Sequence, residues 1–139
     1  MDQTAIDRIK TSFHAQNMMT TLGAQLVEVG AGHIVITAPI LDANKQQQGF
    51  AHAGLTFAIG DSAAGYAGLT TLPLDNEVVT AEMKINLLAP AQGDLLRAVG
   101  RVIKPGKRLV VVAADVFAIS NGQERHVAAL QGTMVPVPT

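Results

Sequence analysis

The sequence predicts an α+β fold, a mostly antiparallel sheet wrapped around one central buried helix. Three observations predict it. The 17 residues Ala53–Leu69 carry a single charge, Asp61, and no proline. A segment shortly after them alternates apolar and polar residues with a period of two. The chain order is a helix, two strands, the apolar helix and then four strands, a segregated arrangement rather than a βαβ alternation.

Taken in order, Thr4–Gln16 places Ile6, Ile9 and Phe13 at helical spacing and reads as a short amphipathic helix. Leu22–Val29 and Ile34–Ile40 read as strands joined by the turn Gly30-Ala31-Gly32. Asp42–Gln48, with Asn44 and three glutamines, has no periodicity and reads as a loop. From His52 to Leu69 the chain is apolar on nearly every side, the pattern of a buried helix. Gly54, Gly60, Gly65 and Gly68 each disfavour it by up to about 1 kcal/mol relative to alanine. Close approach of a curved sheet accounts for them. Val79, Ala81, Met83, Ile85 and Leu87 then alternate with Thr80, Glu82, Lys84 and Asn86, a strand with one polar face. Pro90–Gly93 makes a turn, Leu95–Lys104 a strand, Pro105-Gly106-Lys107 a turn, and Leu109–Ile119 a β-branched strand. Asn121-Gly122 is a hairpin signal, and Val127–Val135 is the last strand. The 139 residues fit one domain, residues 1–20 forming an N-terminal helical segment.

Composition narrows the chemistry. There is no cysteine, which excludes thiol catalysis, thiolate metal sites and disulfides. Net charge is −1, and one tyrosine with four phenylalanines is too few for base-stacking platforms, so no nucleic-acid partner is expected. Five of the ten basic residues nevertheless fall between Arg97 and Arg108. Such a cluster suits a small anionic ligand, the competing reading being a solvated strand and turn. The N-terminus, MDQTAIDRIK, lacks the apolar run of a signal peptide, and four glycines with a carboxylate argue against a membrane span at Ala53–Leu69. A cytoplasmic location without a membrane partner is expected. No phosphate loop or nucleophile elbow is present, and His14, His33, His52 and His126 lack metal-ligand spacing. No metal or cofactor is implied.

Asp61 is the energetic anomaly. An ionised carboxylate inside an apolar helix is costly unless it is paired or faces a polar cavity, and no basic residue stands at i±3 or i±4. It either caps something structural or lines a site. His52-Ala53-Gly54 stands at the start of the same helix, where unsatisfied amides carry partial positive charge and stabilise an oxyanion. The competing reading is an ordinary helix N-terminus capped by a histidine. Along one helix Gly54 and Asp61 are about 10 Å apart at 1.5 Å per residue. One carbonyl cannot reach both, so the two would have to come from different subunits.

Gly49-Phe50-Ala51-His52-Ala53-Gly54 followed by Ile59-Gly60-Asp61-Ser62-Ala63 resembles the G-x-x-H-G-G…D-x-A signature of the phenylacetate-degradation (PaaI-type) hot-dog thioesterases, with the same spacing of nine from histidine to aspartate. Val79–Asn86 with Pro90-Ala91, Gly106-Lys107-Arg108-Leu109 and Gly132-Thr133 extend the resemblance from roughly Leu22 to Pro136. It implies a hot-dog fold and hydrolysis of an acyl-coenzyme A, aryl or aliphatic. Asp61 would be nucleophile or general base, the Gly54 amide would polarise the thioester carbonyl, and His52 would support that loop and contact substrate. Gln46 stands where the family carries an asparagine, with Asn44 as the alternative amide. Ala53 replaces a glycine. Gly49 belongs to the signature and Thr80 to a site-facing position. Lys107 and Arg108 would pair with coenzyme A phosphates, assisted by Arg101 or Lys104. Phe57, Ile59 or Met83 would line the acyl site. Sites between subunits imply a homo-oligomer, a dimer at least and a tetramer by family habit, with the strand after the helix paired to its twofold mate. The alternatives are a non-catalytic acyl-coenzyme A-binding or regulatory protein, a hydroxyacyl thioester dehydratase and, last, a purely structural oligomerisation domain.

Overall fold

The computed structural model describes all residues from Met1 to Thr139. Helices α1 (Gln3–Ala15) and α2 (Asn17–Thr21) lead into strands β1 (Gln25–Gly30) and β2 (His33–Pro39). A 3-10 turn at Asp42–Asn44 precedes helix α3 (Ala53–Leu69), followed by β3 (Asn76–Leu87), β4 (Leu95–Lys104), β5 (Val110–Ser120) and β6 (Gln123–Pro138). All six strands pair antiparallel in the order β1-β2-β4-β5-β6-β3, so β1 and β3 are the edges. No helix is long and apolar enough to cross a membrane.

The sheet's alternate residues and one side of α3 form a cluster of 28 buried residues, with Ile34, Ile36, Ile59, Leu69, Leu96, Val112 and Val116 fully buried. Helix and sheet touch closely because neither places a side chain at the crossing. A Cβ on Gly60 would come within 2.9 Å of Leu130, one on Gly68 within 3.2 Å of Val112, and one on Gly100 of β4 would overlap the Ala63 carbonyl. Gly60 and Gly68 thus have the packing role expected of them, whereas Gly54 lies at the exposed helix start beside His52 and Gly65 makes only ordinary contact with Met134.

Several boundaries differ from the sequence reading. Helix α1 matches the expected Thr4–Gln16 to within one residue at each end, and after the extended Gln16 a short second helix, α2, follows that the reading did not separate. The loop over Asp42–Gln48 contains the 3-10 turn and a bridge from Lys45 to Ala51. Strand β6 begins at Gln123 rather than Val127. Asn121 (φ 51°) and Gly122 (φ 76°) are both left-handed, the requirement of a tight two-residue hairpin turn. They bring Ser120 opposite Gln123, so pairing starts in a polar stretch without alternation.

Candidate active site

Asp61 lies on the face of α3 turned away from the sheet. Phe57, Ala58, Asp61 and Ser62 form one half-buried stripe, whereas Ile59, Gly60, Ala63 and Ala64 are buried. The stripe leaves one side of the otherwise buried helix open, and Ile59, expected as a lining residue, belongs instead to the core at 0% exposure. Helix α1 covers only the C-terminal half of α3. Phe13 packs edge-on against Tyr66 at 6.2 Å, and the Arg8 guanidinium donates to the carbonyls of Leu69 and Pro73, each at 2.6 Å. The N-terminal half, with Asp61 at its limit, has no such cover.

The Thr80 hydroxyl donates to Asp61 Oδ1 at 2.8 Å. The register between β3 and β6 shifts between Thr80 and Glu82, a bulge of the kind that re-aims side chains beside sites. Every ion pair of the structure involves other carboxylates, so Asp61 has no cationic partner. Burial pushes its pKa above the usual carboxylate value, and the Thr80 hydrogen bond partly opposes this. The carboxylate opens into a cavity of about 240 Å³ that Ser12, Gln16, Tyr66 and Thr80 also line. Gln16 Nε2 donates to the Tyr66 hydroxyl at 2.7 Å, and Ser12 Oγ lies 3.1 Å from it. Burial raises the Tyr66 pKa, keeping the phenol protonated.

The start of α3 is a second, separate locus. His52 is its cap, the imidazole Nδ1 accepting from the Gly54 amide at 2.8 Å. The Gly54 donor expected to face substrate is thus engaged in the free chain, whereas the neighbouring Ala53 amide has no partner. Both residues are exposed. Gln46 does not project a free amide. Its oxygen accepts from the backbone of Gln48 and of Phe50, and its Nε2 donates to Gln48 at 2.9 Å. It ties its own loop, which turns at Gly49 through a left-handed φ of 88°. Asn44 Nδ2 is buried without a partner, and Asn44 lines a cavity of about 190 Å³ with His52 and Gly54. Gln46, Phe50, Ala53, Leu87 and Leu88 line a larger, mainly apolar cavity of about 400 Å³.

Within one chain the two loci open into separate cavities, Asp61 into one and Gly54 into another. They lie toward opposite ends of β3, Thr80 beside Asp61 and Leu87 beside the helix-start cavity. The basic turn belongs to the Asp61 end. Thr80 pairs with Met134 and Met134 with Val110, so Val110 lies about 10 Å across the sheet from Thr80, with Lys107 and Arg108 in the turn just before it. Neither makes a side-chain hydrogen bond or ion pair, and both are exposed. Arg101 pairs with Asp115 at 2.7 Å, and Arg97 with Glu124 at 2.6 Å.

Sequence reasoning missed Ser12, Gln16 and Tyr66. Tyr66 is the one tyrosine of the chain and stands five residues after Asp61, a signal that could have found it. Nothing local links it to Ser12 and Gln16, which are 54 and 50 residues away.

Residues 48–124 match the family model described as the thioesterase superfamily. A protein of Saccharolobus solfataricus that bears the name of an esterase is 39% identical over 87 residues, 63% of this chain and 55% of that protein. The match thus spans little more than half of that relative's length. A 1,4-dihydroxy-2-naphthoyl-CoA hydrolase of Listeria monocytogenes is 27% identical over 90 residues, 65% of this chain and 73% of that one. A thioesterase family protein of Silicibacter pomeroyi has a crystal structure that superposes with a TM-score of 0.95 at 34% identity, covering 97% of this chain and 99% of that chain. The E. coli PaaI protein from the phenylacetic acid degradation operon shares the fold, with a TM-score of 0.84 at 22% identity over 96% of this chain and 94% of that chain.

Proposed function

We propose, on the premise that this chain belongs to the thioesterase superfamily and has its hot-dog fold, that it hydrolyses acyl-coenzyme A thioesters with Asp61 as the catalytic carboxylate. The observation that carries this reading is a carboxylate with no counter-ion, oriented by Thr80 and open to a cavity. A carboxylate of raised pKa is more basic than usual, which favours both routes open to it. It either attacks the carbonyl to give an anhydride that water opens, or takes a proton from the attacking water. Coenzyme A leaves as the thiolate, which takes its proton from solvent in the first route and the proton held by Asp61 in the second.

The oxyanion needs donors, and the supporting feature is the exposed amino end of α3, with the Ala53 amide open and the Gly54 amide held by His52. A thioester oxygen replaces the imidazole as acceptor when His52 turns aside. These donors come from a second subunit. Edge strand β3 has exposed Val79 and Leu87 and a free rim of backbone donors and acceptors. Antiparallel pairing of β3 with its twofold copy brings the Thr80 end of one strand beside the Leu87 end of the partner subunit's strand. The Asp61 half then faces the helix start of the second chain, and each dimer has two sites. Lys107 and Arg108 stand ready for the coenzyme phosphates.

The test is Asp61→Asn, assayed by free thiol released from aryl, short, medium and long acyl-coenzyme A. The expected result is loss of hydrolysis by at least about a hundredfold, in the range for a removed general base. Full activity in the folded variant would discard the mechanism.

A further inference from the structure

Resting on the thioester hydrolysis proposed above, we propose that the hydroxyl of Thr56 is a further catalytic donor. It donates to the thioester carbonyl oxygen, beside the Ala53 amide, in the helix-start half of the site.

Thr56 is the one polar residue of the chain that is buried, at 1% exposure. It lines the mainly apolar cavity of about 400 Å³ together with Gln46, Ala53, Leu87 and Leu88. A buried threonine in a helix ordinarily bonds back to a carbonyl one turn earlier. Thr70 and Thr71 do so at the far end of α3, to Ala67 and Gly68 at 2.7 and 2.8 Å. Thr56 does not. The carbonyl one turn earlier, that of His52, receives the Leu55 amide at 2.9 Å and the Thr56 amide at 3.4 Å instead. The Thr56 hydroxyl makes no hydrogen bond within the chain. The unpartnered side-chain atoms sealed from every surface are Arg8 Nε and Asn44 Nδ2. The Thr56 hydroxyl is unpartnered and not sealed, so it is the part of the residue that meets the cavity.

Packing does not explain a bare hydroxyl here, because valine has the same outline and would fill the place without one. Direction and lining point to the occupant. A helical side chain leans toward the amino end of its helix, so Thr56 lies over the turn that begins with Ala53. The Ala53 amide has no partner, and the hydroxyl adds a second donor on that side. Gln46, in the same cavity, is held by its own loop through Gln48 and Phe50. Phe50, Leu87, Leu88 and Val127 give the rest of the lining an apolar surface. A thioester matches this distribution, with one carbonyl oxygen between a sulfur and a carbon chain. In a low-dielectric cavity, a donor aimed at the oxygen gains strength as negative charge develops there. The hydroxyl keeps its own proton throughout, and no proton transfer is asked of it.

The experiment measures kcat, KM and melting temperature of the full chain, with thiol release from benzoyl-CoA and hexanoyl-CoA as the assay. Thr56→Val is expected to lower kcat roughly tenfold to a hundredfold, the factor that one hydrogen bond to a charged group contributes. KM should change little, since the bond strengthens only in the transition state. The melting temperature should not fall, because no hydrogen bond within the chain is lost. Thr56→Ser keeps the hydroxyl and is expected to retain most of kcat. An unmoved kcat in Thr56→Val overturns the assignment, and so does an equal loss in the serine variant, which would assign the effect to packing. A Thr56→Val chain that melts well below the wild type also overturns it, by revealing a partner for the hydroxyl inside the fold. A wild type that releases thiol from no acyl-coenzyme A sinks the hydrolase reading itself, and this assignment with it.

Discussion

At the scale of single residues, the candidate site turns on one carboxylate without a counter-ion. Asp61 has no cation beside it, and one hydroxyl, that of Thr80, favours its ionised form against burial. The sign of the consequence follows from linkage. Folding raises this pKa, so the stability tied to Asp61 is complete below the unfolded pKa and is lost as pH rises through the folded one. Asp61→Asn, uncharged throughout, is therefore expected to melt above the wild type near pH 7. It loses that advantage near pH 3, where both side chains are neutral. Melting temperatures at the two pH values check this, and a variant less stable than wild type at neutral pH contradicts it. Thr80→Val removes the only hydrogen bond to the charged form. The acid limb of its kcat/KM profile should move to higher pH, and an unmoved limb would exclude Thr80 as the group that tunes Asp61. Asp61 was legible in the sequence because a charge among sixteen uncharged helical residues is an energetic contradiction. What the sequence does not reveal is that the loop backbone claims the Gln46 amide oxygen, a competition that residue type alone cannot show.

At the scale of elements, the contact between α3 and the sheet decides where Asp61 points. The helix sits close because glycines line the crossing from both sides. Gly100 is the tightest of these, with the Ala63 carbonyl in the place its Cβ would occupy. Gly100→Ala should force α3 outward and destabilise the fold by about 1–3 kcal/mol, the range for overpacking. Urea unfolding monitors it, and an unchanged midpoint would show that the contact yields freely. The helix, the β4 strand and the alternation of β3 were legible because apolar spacing is a local property. The first four residues of β6 were not, since Gln123–His126 carry no apolar alternation and are strand only because the Asn121-Gly122 turn returns them to β5. The polar trio around Tyr66 was hidden for a related reason. It exists only after α1 folds back across α3.

At the scale of the whole molecule, Asp61 and the start of α3 lie toward opposite ends of one edge strand, the two halves of the composite site proposed above. The basic turn and Asp61 share one end, and the helix-start donors with Leu87 and Leu88 share the other. The about 10 Å between Gly54 and Asp61 was readable from helical rise alone, and the separate cavities agree with it. The edge position of β3 came from topology, which the pattern of its own residues only suggested. A composite site has a consequence that no single-chain site shares. Asp61→Asn lacks the carboxylate. Gly54→Pro lacks the donor amide and is tolerable in the first helical turn, where that amide makes no intrahelical bond. Each variant alone should be inactive. When the two are unfolded together and refolded, half of the dimers should pair unlike chains, and one of the two sites in each such dimer should be intact. The expected thiol release is about a quarter of the wild-type rate. A mixture no more active than its separate components would contradict a site shared between subunits.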